Sequence, residues 1–209
     1  MHDEILTENQ IKLLGLLPVF KDSYYLAGGT ALALQIGHRR SIDFDLLTEY
    51  DIEPLKIREK IRRFNYSIET TIESTREEYT IVTGGVKITF LHYPFNIEHN
   101  IWFDNIITMP DILTISAMKA YTIGRRGKWK DYVDFYFVFK YHYKISDVVQ
   151  KARQIFSGEF NERLFREQLC YYDDIDYSEE VEYLGQHPSV EEIKEFLINV
   201  ATEIDLEDR

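Results

Sequence analysis

Leu26–Leu46 reads LAGGTALALQIGHRRSIDFDL. It opens with two glycines at the end of an apolar run and closes with two aspartates, Asp43 and Asp45, one residue apart. Tyr24–Leu26 predicts a short strand and Thr30–Ile36 a helix, so Gly28 and Gly29 fall where strand hands over to helix. There, main-chain N–H groups and the positive end of the helix dipole can approach an anion with no Cβ in the way. Ser41–Leu47 alternates strictly: Ile42, Phe44 and Leu46 are apolar, and Asp43 and Asp45 stand between them. That period predicts a half-buried strand with both carboxylates on its wet face, their Cα atoms roughly 6 to 7 Å apart. Two acids so placed can share one divalent cation or hold two about 3.5 to 4 Å apart. An isolated Asp-x-Asp is common by chance and reads as two solvated acids. The glycine turn and helix upstream shift the balance toward a phosphate cradle facing a metal site.

Outward from this stretch the pattern is of strands first and helices afterwards. Lys12–Phe20 and Glu53–Phe64 predict helices, while Tyr66–Glu73, Tyr79–Thr83, Val86–Tyr93 and Ile101–Thr108 predict strands, with Gly84 and Gly85 closing a hairpin. After Pro110 come helices over Asp111–Arg126, Lys128–Tyr143, Ser146–Phe156, Phe160–Cys170 and Val190–Ala201. The order predicts an α+β protein. It divides into an α/β core over 1–110 and a helical region over 111–209 that ends in an acidic segment.

The chain has 209 residues, 44% hydrophobic and 14% aromatic, enough to bury a core and unlike a disordered or fibrous composition. Its single cysteine, Cys170, has no intramolecular partner, and MHDEILTENQ lacks the basic-then-apolar pattern of a secretion signal. No apolar run reaches membrane-spanning length. A cytoplasmic protein with no membrane partner is expected. The net charge of -12 argues against a polyanionic partner, yet it is unevenly spread: Tyr171–Arg209 holds 13 acids against 2 bases, a net of -11. The body of the chain is therefore nearly neutral, with basic clusters at Arg39–Arg40, Arg58–Arg63 and Arg125–Lys130. The acidic segment is expected to lie away from any nucleic-acid-binding cleft or to meet a basic partner.

Two further features carry chemistry. Ile112, Ile115, Lys119 and Ile123 share one helical stripe, which turns Lys119 inward. Such a lysine either snorkels to solvent or finds a phosphate as partner. In WKDYVDFYFVF, Asp131 and Asp134 stand at i and i+3, on a face with Phe135 and Val138, so at least one carboxylate is expected inside the packing or a cleft.

The segments YLAGGTALALQIGHRRSIDFDLLT and DILTISAMKAYTIGRRGKWKDYVDFYFV resemble the AbiEii/AbiGii-type nucleotidyltransferase family, within the DNA polymerase β-like superfamily. That family includes toxins of type IV toxin–antitoxin and phage-abortive-infection systems. The resemblance covers about Tyr25 to Phe139. It implies a polymerase β-like core with a mixed sheet and an enzyme that moves a nucleoside monophosphate from an NTP to an acceptor hydroxyl. On this resemblance Gly28, Gly29 and Thr30 hold the triphosphate, Asp43 and Asp45 bind Mg²⁺, Lys119 meets the phosphates, and Asp131 with Asp134 forms a later acidic motif. Arg39, Arg40 and Ser41 join the nucleotide-binding set. The implied partners are an NTP, an RNA (tRNA) or protein acceptor, and a cognate antitoxin. The chain departs from the superfamily at Thr89 in GGVKITFLHY, where a third carboxylate is expected. Threonine neither serves as a base nor binds a metal strongly. A degenerate nucleotide-binding protein acting as an interaction module is therefore the alternative. A metal-dependent glycosyltransferase ranks below both, since its chemistry needs neither the glycine pair nor the later Lys and Asp residues.

Overall fold

The computed structural model describes residues 1–125 and 127–203. Arg126, where the first helix of the second half was expected to end, and 204–209, the end of the acidic segment, lie outside the described residues. The chain divides between Asp111 and Ile112 into two compact units.

The first unit is built on a mixed sheet. Its strands are β1 (Tyr25–Ala27), β2 (Phe44–Thr48), β3 (Thr70–Ser74), β4 (Glu78–Thr83) and β5 (Val86–His92), in the order β1-β2-β5-β4-β3. Only the β2–β5 pair is parallel. The period-2 alternation works as the sequence implies. Phe44, Leu46, Ile81, Ile88, Phe90 and Tyr79 form the buried face, and Asp45, Lys87, Thr89 and Glu78 occupy the other. Helices α1 (Glu8–Leu13), α2 (Gly28–Ile36) and α3 (Pro54–Arg63) complete the layer. Phe20 meets Phe90 edge-on, with ring centroids 4.9 Å apart, and Ile57 and Ile61 of α3 are buried. The sheet thus has one apolar face closed by packing and one face left for chemistry.

Several boundaries differ from expectation, each for a local reason. Lys12–Phe20 is not one α-helix: α1 stops at Leu13 and Leu14–Val19 continues as a 3₁₀ turn, because Pro18 has no N–H to carry an α-helical ladder onward. The strand expected over Ser41–Leu47 begins at Phe44, since Thr30 and Ser41 hold the preceding loop by side-chain hydrogen bonds. Ile101–Thr108 is two strands, β6 (Ile101–Phe103) and β7 (Ile107–Met109), joined by Asp104 and Asn105 at φ of 44° and 58°. Asp and Asn tolerate this left-handed backbone better than other side chains, so the apolar run folds back as a hairpin. Gly84 and Gly85, at φ of 58° and 70°, make the two-residue turn between β4 and β5.

The second unit consists of α4 (Ile112–Thr122), α5 (Trp129–Tyr141), α6 (Ile145–Phe156), α7 (Glu162–Leu169) and α8 (Val190–Thr202). Asn161 and Ser189 cap α7 and α8 by accepting from the Leu164 and Glu192 amides. The acidic segment is not a detachable tail. Ile193 and Leu197 of α8 are fully buried, Tyr172 is hydrogen-bonded to the Leu169 carbonyl, and Phe196 packs against Tyr136. Its negative charge meets basic partners within the unit: Glu179 lies 2.6 Å from Lys128 and 2.9 Å from Lys130, and Glu192 lies 2.9 Å from Lys140. No helix among the described residues is long and apolar enough to cross a membrane.

Candidate active site

The glycine pair, the loop after α2 and the head of β2 come together on the sheet's open face. Helix α2 starts at Gly28, which has φ of +70°, and no side chain caps it: the residue before, Ala27, has nothing to offer its first-turn amides. A Cβ built on Gly28 would stand 2.2 Å from Asp45 Oδ2, and one on Gly29 would stand 2.7 Å from an Arg39 guanidinium nitrogen and 3.3 Å from the Ser41 hydroxyl. Both glycines are thus required by space, the first also by backbone conformation. The strand-to-helix turn passes directly over a carboxylate and a guanidinium.

Thr30 holds this arrangement. Its buried hydroxyl is hydrogen-bonded to the Asp43 carbonyl at 2.5 Å and to the Ser41 hydroxyl at 2.8 Å, which ties the first turn of α2 to the chain entering β2. Arg39, 2% exposed, donates to the Arg40 carbonyl at 3.0 Å. Arg40 reaches into the N-terminal segment. Its guanidinium donates to the main-chain carbonyls of Leu6 at 2.9 Å and Glu4 at 3.3 Å, anchoring the N-terminal segment.

Asp45 sits in β2 between Ala27 of β1 and Thr89 of β5, and Asp43 precedes the strand by one residue. The parallel register places Thr89 beside Asp45, where the resemblance implied a third carboxylate. Instead a row of hydroxyls runs across the sheet: Thr89 lies 3.3 Å from Thr80, whose hydroxyl donates to Glu78 at 2.6 Å. The residue that sequence reasoning missed is Lys87. Its ammonium is 2.7 Å from Asp43 Oδ2, with both side chains partly exposed. The alternation in VKITF puts Lys87 and Thr89 on one face, but only the pairing of β5 with β2 sets that face beside the aspartates.

Among the described residues no group of three or more His, Cys, Asp and Glu converges as a metal cage. Two carboxylates beside a glycine turn still suit a hard divalent ion of the Mg²⁺ type. Such an ion commonly takes one or two carboxylates from the protein and its remaining oxygens from water and substrate phosphates. The missing Cβ at Gly28 is what lets Asp45 Oδ2 stand against the turn.

Within the second unit, Lys119, Asp131 and Asp134 form a cluster. Lys119 is turned inward as its helical stripe requires, and two carboxylates meet it there. Its ammonium lies 2.5 Å from Asp131 Oδ1 and 2.8 Å from Asp134 Oδ2, and all three side chains are at most 6% exposed. Both aspartates of the i, i+3 pair point inward, where the sequence required only one.

The fold is that of nucleotidyltransferases. The chain aligns with MenT4, a nucleotidyltransferase toxin of Mycobacterium tuberculosis, at a TM-score of 0.62 and 13% identity over 95% of this chain and 84% of that one. It aligns with a putative nucleotidyltransferase of Helicobacter pylori at a TM-score of 0.56 and 16% identity, covering 92% and 91% of the two chains. Residues 13–101, which contain the glycine turn and both aspartates, match the family described as nucleotidyl transferase AbiEii toxin, type IV TA system. An uncharacterized protein of Aquifex aeolicus is 29% identical over 181 residues, 84% of each chain.

Proposed function

We propose that this protein is the nucleotidyltransferase toxin of a toxin–antitoxin or phage-defence pair. It binds an NTP with Mg²⁺ in the cytoplasm and transfers the nucleoside monophosphate to an acceptor hydroxyl on an RNA, such as a tRNA, or on a protein. The observation that carries this reading is the approach of Gly28 to Asp45: a helix N-terminus with no side-chain cap passes over the Asp45 carboxylate, with room only for glycine. The family match of residues 13–101 supports the same chemistry.

In this reading the first-turn amides of α2 and the Arg39 guanidinium receive the phosphates. Asp43 and Asp45 hold the metal, which when bound aligns the α-phosphate and offsets charge on the departing pyrophosphate. Thr30 and Ser41 keep the loop and α2 in fixed relation, so the carboxylates and amides stay preorganised. Lys119 compensates the paired charges of Asp131 and Asp134 and thereby holds both carboxylates in place. As the acceptor oxygen bonds to the α-phosphorus and the bridge to pyrophosphate breaks, the acceptor hydroxyl must lose its proton. Thr89 has no carboxylate to take it, so in the transfer reading the proton passes to solvent water.

That last point favours a second reading, a protein that binds nucleotide without transferring it. One experiment separates the two. The protein is incubated with each α-labelled NTP, Mg²⁺ and total RNA, and label is followed in the RNA and in the polypeptide. Incorporation that disappears in Asp43→Asn/Asp45→Asn supports transfer. Mg²⁺-dependent nucleotide binding with no incorporation in any arm supports the second reading, and absence of both sinks the first.

A further inference from the structure

We propose that Lys87 acts as an internal counter-cation for Asp43. It suppresses binding of a bare divalent ion and turns to the phosphates when metal and nucleotide arrive together. The inference rests on the reading of Asp43 and Asp45 as the metal-binding pair and specifies the order in which that pair fills.

At the Asp43 end of the sheet's open face a carboxylate is matched by a cation. Where β5 would add a third carboxylate beside Asp45 it carries Thr89, and two residues earlier, beside Asp43, it carries a cation. A pair of carboxylates with Lys87 2.7 Å from Asp43, and the Arg39 guanidinium at the Gly29 turn, is close to neutral without any metal. A three-carboxylate site attracts a divalent ion by itself; this one does not have the surplus negative charge to do so. A metal–triphosphate complex is different. It brings the cation and the negative charge together, and its oxygens offer Lys87 a better partner than a carboxylate that the metal has claimed. The Lys87 and Asp43 side chains are 39% and 31% exposed, so the ammonium is free to rotate from one partner to the other without breaking a packed core.

The consequence is a pair of effects of opposite sign, which a merely structural lysine would not produce. Removing the ammonium takes away repulsion between a unit charge and a divalent ion on the same carboxylate, roughly a tenfold effect in a water-like dielectric. It also takes away one phosphate contact, again roughly tenfold for a charge-assisted bond.

The test uses the full chain and two probes: Mn²⁺ alone, followed by water-proton relaxation, and Mn²⁺ with inorganic tripolyphosphate, followed by calorimetry. Lys87→Met is expected to bind Mn²⁺ about tenfold tighter and Mn²⁺–tripolyphosphate about tenfold weaker, while Lys87→Arg keeps the wild-type order. Near-ultraviolet circular dichroism of each variant checks that the fold is retained. Should Asp43→Asn/Asp45→Asn abolish Mn²⁺ binding while Lys87→Met leaves it unchanged or weaker, the counter-cation role is wrong and the metal site stands. Should the wild type bind neither probe, or the double aspartate variant bind Mn²⁺ as well as wild type, the metal-site reading itself falls and Lys87 with it.

Discussion

Replacing Lys119 with methionine separates a buried ion cluster from a lysine that only borders the core. The ammonium has one carboxylate at 2.5 Å and another at 2.8 Å, and the three side chains are 6% exposed or less. At an effective dielectric of 20 each contact is worth about 6 kcal/mol of gross Coulomb energy, most of it offset by the cost of desolvating the charges. What remains when one partner is deleted is the penalty of stranding the others, about 3 to 5 kcal/mol for a buried pair. Here two like charges would be left together, so the upper end applies. For a chain of this size about 2 to 4 °C of melting temperature is lost per kcal/mol, so Lys119→Met should melt on the order of 10 to 20 °C below wild type. Neutralising the aspartates as well, in Lys119→Met/Asp131→Asn/Asp134→Asn, should recover more than half of that loss, because the two carboxylates that lost their shared counter-ion are then uncharged. Calorimetric scans of the single and triple variants give both numbers. A single variant that melts within about 2 °C of wild type would show that Lys119 does not depend on these carboxylates and would refute the reasoning.

Gly28→Ala should cost about 1 to 3 kcal/mol, since it combines a left-handed backbone with a Cβ 2.2 Å from Asp45 Oδ2, and should weaken Mg²⁺-dependent NTP binding; thermal melts and nucleotide titration of the same sample read both effects. Glu179 is held down to about 2 by hydrogen bonds from Lys128 and Lys130, so its contribution is present above its ordinary value of 4.5 and lost as pH falls toward 2. Glu179→Gln should therefore lower stability above pH 5 by under about 1 kcal/mol, because the carboxylate is 41% exposed, and by almost nothing near pH 2; denaturant titrations across that range check the sign. Truncation after Cys170 should leave a helical unit that fails to melt cooperatively, because it removes Ile193 and Leu197 from the core, and Leu197→Ala alone should cost about 2 to 5 kcal/mol by the same denaturant assay.

What the sequence by itself determined was local in origin. The period-2 alternation around Asp43 and Asp45 located a strand and its wet face, because side chains on a pleated backbone can only alternate. The helical stripe through Ile115 turned Lys119 inward for the equivalent reason at a period of 3.6 residues. The glycine pair marked the turn from strand to helix, and the resemblance carried by the same stretch implied the mixed-sheet nucleotidyltransferase fold that the structure has. Pairing between distant segments was decided only in the tertiary structure. Lys87 is 44 positions from Asp43 in the chain, and nothing in either segment states that β5 lies parallel to β2 in the one register that joins them. Lys119 showed that it needed a partner, but periodicity reports burial and not the identity of what lies opposite, so both aspartates of α5 could be assigned only once α4 and α5 were packed. How the acidic segment packs was decided there for the same reason. Net charge is a sum over residues and is blind to Ile193 and Leu197, which bind α8 into the core whatever the charges on its other face.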